Sequence, residues 1–284
     1  NTTTIEVHIQ TSSDNEKKAQ QRLDQISVDF QATNTLVSAQ TIFSNNRWRW
    51  GGDNVSIQVN YTVKVPVGNK LDLSNDYGTI YLNQINGSTK IKCDYGSMKL
   101  GKLNSTLNEI SFDYTSNVSV DYINGATINA DYSNFTIHDA KKIELEADYS
   151  NSIFNNVELI DFSCDYGDVI IENVGKVIGS GDYLTTRIER VEGSVDIEGD
   201  YGGIKIKEIT PKAGNITIDG DYTNVEIGYS EGYHFDITAT LEYTDFKYDN
   251  NIEFSIKREK SSESYYQGYH GSKGKNSIKI DIEY

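Results

Sequence analysis

The chain has 284 residues and a formal charge of −16 from 42 acidic and 26 basic residues, with 23 Gly and 20 Tyr but only two Pro and two Cys. Such a charge repels nucleic-acid phosphates and anionic lipid, which sets both aside as partners, and no apolar run approaches the ~18 residues of a membrane helix. The chain starts at Asn1 without Met or apolar leader, which fits a processed mature chain whose export signal has been removed, or a trimmed one.

The first 66 residues predict an N-terminal cap. Ile5, Val7 and Ile9 alternate as a strand, and 14–25 reads as one short helix with Ser13 or Asp14 as its N-cap. Strands are expected around 26–30, 36–43 and 55–65, with Pro66 closing the cap. Between the last two lies Arg47-Trp48-Arg49-Trp50, which holds both Trp residues. Exposed, this cation–aromatic run suits a sugar or protein ligand. As a strand it would instead place Trp48 and Trp50 on one side, packed over the first coil, with the arginines outward. Arg47, Trp48, Arg49 and Trp50 are the ligand-binding candidates.

From 67 to 249 the sequence repeats. Asp-Tyr pairs begin at Asp76, Asp94, Asp113, Asp131, Asp148, Asp165, Asp182, Asp200 and Asp221, and Glu242-Tyr243 is a conservative tenth copy. The intervals are 18, 19, 18, 17, 17, 17, 18, 21 and 21 residues. After each pair comes Gly, Ser or Thr in most copies, then a short run of alternating apolar residues such as Ile80 and Leu82 or Val169 and Ile171. A second such run leads to the next Asp. Two short period-two runs in so few residues leave no room for a helix or a propeller blade. One coil per repeat, each strand pairing in parallel with its equivalent, satisfies the backbone. The fold class is therefore all-β: a right-handed single-stranded parallel β-helix, or β-solenoid, of about ten coils of 17–21 residues.

The nine Asp residues form a turn column. Their carboxylates are expected to accept the N–H two residues on, as Asx-turns. A calcium-binding carboxylate ladder is the alternative, but the Gly-Gly-x-Gly-x-Asp nonapeptide of calcium β-rolls is missing. The Tyr column reads as a stacking ladder covering the corner, against the alternative of a sugar platform. Just before eight of the nine Asp, all but Asp76, stands a small or inward-fitting residue: Cys93, Phe112, Ala130, Ala147, Cys164, Gly181, Gly199 or Gly220. Cys93 and Cys164 share that column four coils apart, roughly 19 Å at sheet spacing. This exceeds the ~7 Å limit of a disulfide, so two free, buried thiols are expected.

His8, His138, His234 and His270 share no repeat position and show no metal-ligand spacing. Neither a catalytic constellation nor a metal or cofactor site is expected. After Asp249 the motif ceases, and 250–284 predicts a capping segment with strands near 252–257 and 277–284 flanking a polar, mobile loop over 261–276.

Val63-Lys64-Val65-Pro66-Val67-Gly68-Asn69-Lys70-Leu71-Asp72-Leu73, the coils beginning Asn75-Asp76-Tyr77-Gly78-Thr79-Ile80-Tyr81-Leu82, and Gly271-Ser272-Lys273-Gly274-Lys275-Asn276-Ser277-Ile278 carry a resemblance. Nearly the whole chain resembles a family of bacterial adhesin-like domains of unknown function, found in envelope and secreted proteins, notably of Bacteroidetes. The resemblance implies a cell-envelope or secreted location and adhesion to a surface glycan or protein; it implies no particular binding residues. A pectinase-like polysaccharide lyase or hydrolase is the alternative, since such enzymes share the β-helix, and a structural or signalling scaffold is a third.

Overall fold

In the computed structural model the chain divides into two compact units, Asn1–Val67 and Gly68–Tyr284. The structure describes residues 2–44 and 54–284, so Arg47, Trp48, Arg49 and Trp50 lie outside the described residues.

In the first unit β1 (Thr4–Ser13) and β4 (Val55–Lys64) form an antiparallel pair, and β2 (Ile26–Ala32) and β3 (Val37–Phe43) form another. The helix α1 (Glu16–Leu23) is shorter than the expected 14–25. Its N-cap is Asn15 rather than Ser13 or Asp14: the Asn15 carboxamide accepts the Lys18 N–H at 3.2 Å, satisfying one orphan donor of the first turn. Thr11 donates to the Ala19 carbonyl at 2.9 Å and ties the helix to β1.

The second unit is a β-solenoid of about nine turns. Its strands are β5 (Leu71–Asp76), β6 (Thr79–Ile85), β7 (Thr89–Asp94), β8 (Ser97–Leu103), β9 (Asn108–Asp113), β10 (Val118–Asp131), β11 (Asn134–Glu146), β12 (Asn151–Ser163) and β13 (Gly167–Ser180). Then follow β14 (Leu184–Val191), β15 (Val195–Glu198), β16 (Gly203–Ile209), β17 (Ile216–Asp221), β18 (Asn224–Tyr229), β19 (Phe235–Glu242), β20 (Glu253–Glu259), β21 (Glu263–His270) and β22 (Ser277–Glu283). Each coil pairs in parallel with its neighbours, as in Phe135↔Ser152↔Val169 and Ile143↔Ile160↔Val177. At ~4.8 Å per coil, nine coils make a rod about 40 Å long. The third to sixth coils run almost continuously as β10–β13, whereas longer coils add a turn, such as Asn86-Gly87-Ser88, between their two strands.

Alternation builds the core. Ile85, Leu103, Ile123, Val174, Val191 and Ile209 form one fully buried column, and Ile91, Ile110, Ile128, Leu145, Phe162 and Ile197 form another. Size is balanced between coils: Phe162 faces Gly179, where a Cβ would lie 2.2 Å from the Phe162 ring. Cys93 and Cys164 are buried and free. Burial pushes the Cys164 thiol up to about 12.

The C-terminal segment departs from expectation twice. Residues 263–270, read from their polar composition as part of a mobile loop, form β21, because Tyr266 and His270 alternate inward and are buried. And β19, with Glu242-Tyr243, does not follow β17 directly. β22 lies between them, parallel to both, so the last repeat copy is separated from its predecessor by an inserted layer. β21 and β20 continue the sheet beyond β19 as antiparallel strands.

Candidate functional site

The Asp-Tyr corner shows how a repeat becomes a surface. Every Tyr of the ten pairs has positive φ, between 49° and 60°, a left-handed conformation that costs an L-residue roughly 1–2 kcal/mol. What holds it is lateral. Each of these Tyr N–H groups donates to a backbone carbonyl of the adjacent layer, as in Tyr132 to Asp148 at 3.0 Å and Tyr149 to Asp165 at 2.9 Å.

The Asp carboxylates do not form the expected Asx-turns. Asp131, Asp148, Asp165 and Asp200 use Oδ1 to accept the backbone N–H of the next Asp, at 2.8–3.1 Å. Since the following Tyr is left-handed, the N–H two residues on belongs to a different ladder. There, buried hydroxyls act as staples: Ser150 Oγ lies at 2.9 Å from the carbonyls of Ala130 and Asp148 and accepts the Ser133 N–H at 3.0 Å. Thr115, Ser133 and Thr223 do the same in their coils.

Nine Tyr rings, from Tyr77 to Tyr222, stack with centroids 4.8–5.2 Å apart and planes within 12°. Each is between 45 and 63 % exposed. In the stack, desolvation first, then the neighbouring phenols and Asp carboxylates, raise the Tyr132, Tyr166 and Tyr201 hydroxyls above their ordinary 10.0. A sugar stacks on the face of an aromatic ring, and inside this ladder both faces of each ring meet another Tyr. The ladder therefore offers edges and hydroxyls, not a platform.

One strand face away lies a surface of different chemistry. Asn117, Asn134, Asn151 and Asp168 form an outward column two to three residues after the Tyr, with Asn151 Nδ2 donating to Asn134 Oδ1 at 2.7 Å. Beside it stand half-buried Thr136, Ile153 and Ile170. Beyond these is a second column, where Asn173 donates to Asn156 at 3.1 Å and Asn156 to Asp139 at 2.9 Å. His138 Nδ1 lies 2.8 Å from Asn155 Oδ1 on the same face. Asn117, Asn134, Asn151 and Asp168, with Thr136, Ile153 and Ile170, line a shallow open groove of about 470 Å³ across the third to sixth coils. Farther along, cations and carboxylates pair from coil to coil: Arg187 with Asp168, Arg190 with Glu208, and Lys205 with Glu226.

The structure gathers the nine predicted Asp into one corner ladder and keeps Cys93 and Cys164 apart as free thiols. It brings His234 and His270, 36 residues apart in sequence, to a 6.4 Å ring separation at the C-terminal end. The amide columns have only a faint trace in the sequence, the recurrence of Asn three residues after Asp131, Asp148 and Asp221. Among the described residues, no three His, Cys, Asp or Glu side chains converge as a metal site, and no helix is long and apolar enough to cross a membrane. Comparison of the chain with protein-family models, curated proteins and solved structures gives no match in any of the three.

Proposed function

We propose that this chain is a non-enzymatic, adhesin-type β-solenoid of the cell envelope or of secreted proteins, and that its amide face binds a neutral, extended surface glycan. The observation that carries the reading is the open groove across coils three to six, flanked by repeating carboxamides and floored by Thr136, Ile153 and Ile170. Sugar hydroxyls both donate and accept hydrogen bonds, as carboxamides do, and the aliphatic floor takes the apolar C–H side of a sugar ring. One copy of each group per coil suits a polymer running along the rod, where weak contacts add by avidity. The charge of −16 disfavours polyanions, hence a neutral glycan.

The test is binding of the full chain to a panel of neutral and uronate polysaccharides, with Asn134→Ala, Asn151→Ala and Ile153→Asp. Each lost amide contact, worth ~0.5–1.5 kcal/mol, weakens binding about two- to tenfold, and Ile153→Asp abolishes it. Retained affinity in all three variants, with loss on Trp48→Ala or Trp50→Ala, would move the site to the N-terminal unit and refute this one. Turnover of a uronate polymer that one carboxylate substitution removes would restore the pectinase-like alternative.

A further inference from the structure

The position of β22 has its own consequence. On one side it meets β17 and on the other β19, parallel to both, with Ile278, Ile280 and Ile282 buried between Ile216, Ile218 and Gly220 below and Ile237, Ala239 and Leu241 above. Tyr222 N–H donates to the Glu283 carbonyl at 2.7 Å, and Tyr284 N–H to the Glu242 carbonyl at 3.0 Å. Ile282-Glu283-Tyr284 thus occupies the corner as if it were a further Asp-Tyr copy, borrowed from 41 residues beyond Glu242-Tyr243.

The slot it fills is not required by the repeat. Asp221 to Glu242 is 21 residues, the same interval as Asp200 to Asp221. β19 therefore has the length and pattern to sit directly on β17, with Ile237 over Ile216, Leu241 over Gly220, and Tyr222 N–H meeting the Glu242 carbonyl. In that register β19 would close the sheet on β17 while β22 is out of the slot. Closure by β19 recovers backbone bonds and apolar contacts, and so lowers the cost of release.

The connection that delivers β22 crosses the start of β19. Ser272 N–H donates to His234 Nδ1 at 2.8 Å, Gly274 N–H to Asp236 Oδ2 at 3.0 Å, and Asn276 Nδ2 to the His234 carbonyl at 3.1 Å. Gly271 and Gly274 take φ of 68° and 74°. These contacts hold a tight crossover, whereas the strand it delivers needs only a slot of matching pattern.

We propose that β22 is an exchangeable strand: the slot between β17 and β19 accepts β22 from a second copy of this chain, giving a strand-exchanged dimer. The second copy is the occupant that fits, because the slot needs a parallel strand with three alternate apolar residues followed by an acidic-Tyr pair, and Ile278-Lys279-Ile280-Asp281-Ile282-Glu283-Tyr284 supplies it. The strand makes the same slot contacts in either arrangement, so exchange is decided by crossover strain and concentration. It is independent of the glycan reading.

The test uses cysteines at Cα partners on the outer face, Thr217→Cys and Lys279→Cys, in the full chain with Cys93→Ala and Cys164→Ala. Adjacent parallel strands put these positions about 4.8 Å apart, inside the range of a disulfide. Placed together in one chain, they close an intrachain bond and verify the slot. The two single variants are then unfolded together, refolded at rising concentration and oxidised. Expected is a mixed interchain disulfide whose share rises with concentration and rises further with Gly271→Ala, which strains the crossover. Asp219→Cys with Asp281→Cys, also Cα partners, serves as a second pair. If the same-chain pair closes while the mixture yields no interchain disulfide, exchange is refuted; if neither same-chain pair closes, the slot itself is wrong.

Discussion

Substitution of Tyr149 separates the two forces at the corner. Its ring lies 4.8 Å from both Tyr132 and Tyr166, with planes at 2° and 1°, and its φ is 53°. Tyr149→Ala removes two stacked contacts of ~0.5–1.5 kcal/mol each, a loss of about 1–3 kcal/mol, and keeps the left-handed strain. Tyr149→Gly loses the same contacts but relieves roughly 1–2 kcal/mol of strain. Against this stands about 0.5–1 kcal/mol of extra backbone entropy lost by Gly on folding. The balance leaves Tyr149→Gly more stable than Tyr149→Ala by up to about 1.5 kcal/mol, the reverse of the order inside an ordinary strand. Urea denaturation followed by far-UV circular dichroism measures both variants against the parent chain. If Ala equals or exceeds Gly, the lateral Tyr N–H bonds do not hold a strained corner and the reasoning fails.

Ser150→Ala leaves the buried Ser133 N–H without its 3.0 Å acceptor and is expected to cost ~1–3 kcal/mol by the same denaturation. Gly179→Ala drives a Cβ against the Phe162 ring; it should cost ~1–3 kcal/mol, and Phe162→Leu in the same chain should recover part of that, so strictly additive losses would contradict the packing. The Cys164 thiol and the Tyr233 hydroxyl are both pushed up to about 12 by burial, from ordinary values of 9.0 and 10.0. Acids raised in this way contribute stability that is full below the unfolded value and lost as pH climbs toward the folded one. The melting temperature should therefore fall between pH 9 and about 12, less steeply in Cys164→Ala. A profile of unchanged slope in that variant would show that the thiol is not protected.

The coils, their spacing and the inward apolar columns were legible because period-two alternation and a recurring corner leave one arrangement that satisfies the backbone. The direction of the Asp hydrogen bonds was not legible. A carboxylate at a turn can reach its own chain or the next coil, and the choice depends on Tyr φ, which the letters Asp-Tyr do not reveal. β21 was hidden by composition: a Tyr-, Ser- and Gly-rich segment has the inward alternation of a strand only once Tyr266 and His270 are known to face a core. The inserted position of β22 was beyond reading, because Glu242-Tyr243 supplies a repeat copy that competes for the same place.

The two ladders differ in what they leave available, and the proposed placement of binding on the amide face rests on that difference. A Tyr ring in the middle of the stack has two faces, and neighbours cover both; an Asp in the corner gives Oδ1 to the next coil. Those groups hold the coils in register. A carboxamide has two N–H donors and two acceptor lone pairs. The link from Asn151 to Asn134 uses one donor of the first and one lone pair of the second, so each keeps further hydrogen-bonding capacity on an exposed side chain. That capacity recurs from coil to coil at the edge of a groove floored by Ile153 and Ile170. It follows that weakening the corner should reduce stability and leave glycan affinity unchanged in the chains that remain folded. Removing amides from the face should do the opposite. Coupled losses in both series would mean that ligand and fold share one set of residues, and the assignment of binding to the amide face would fall.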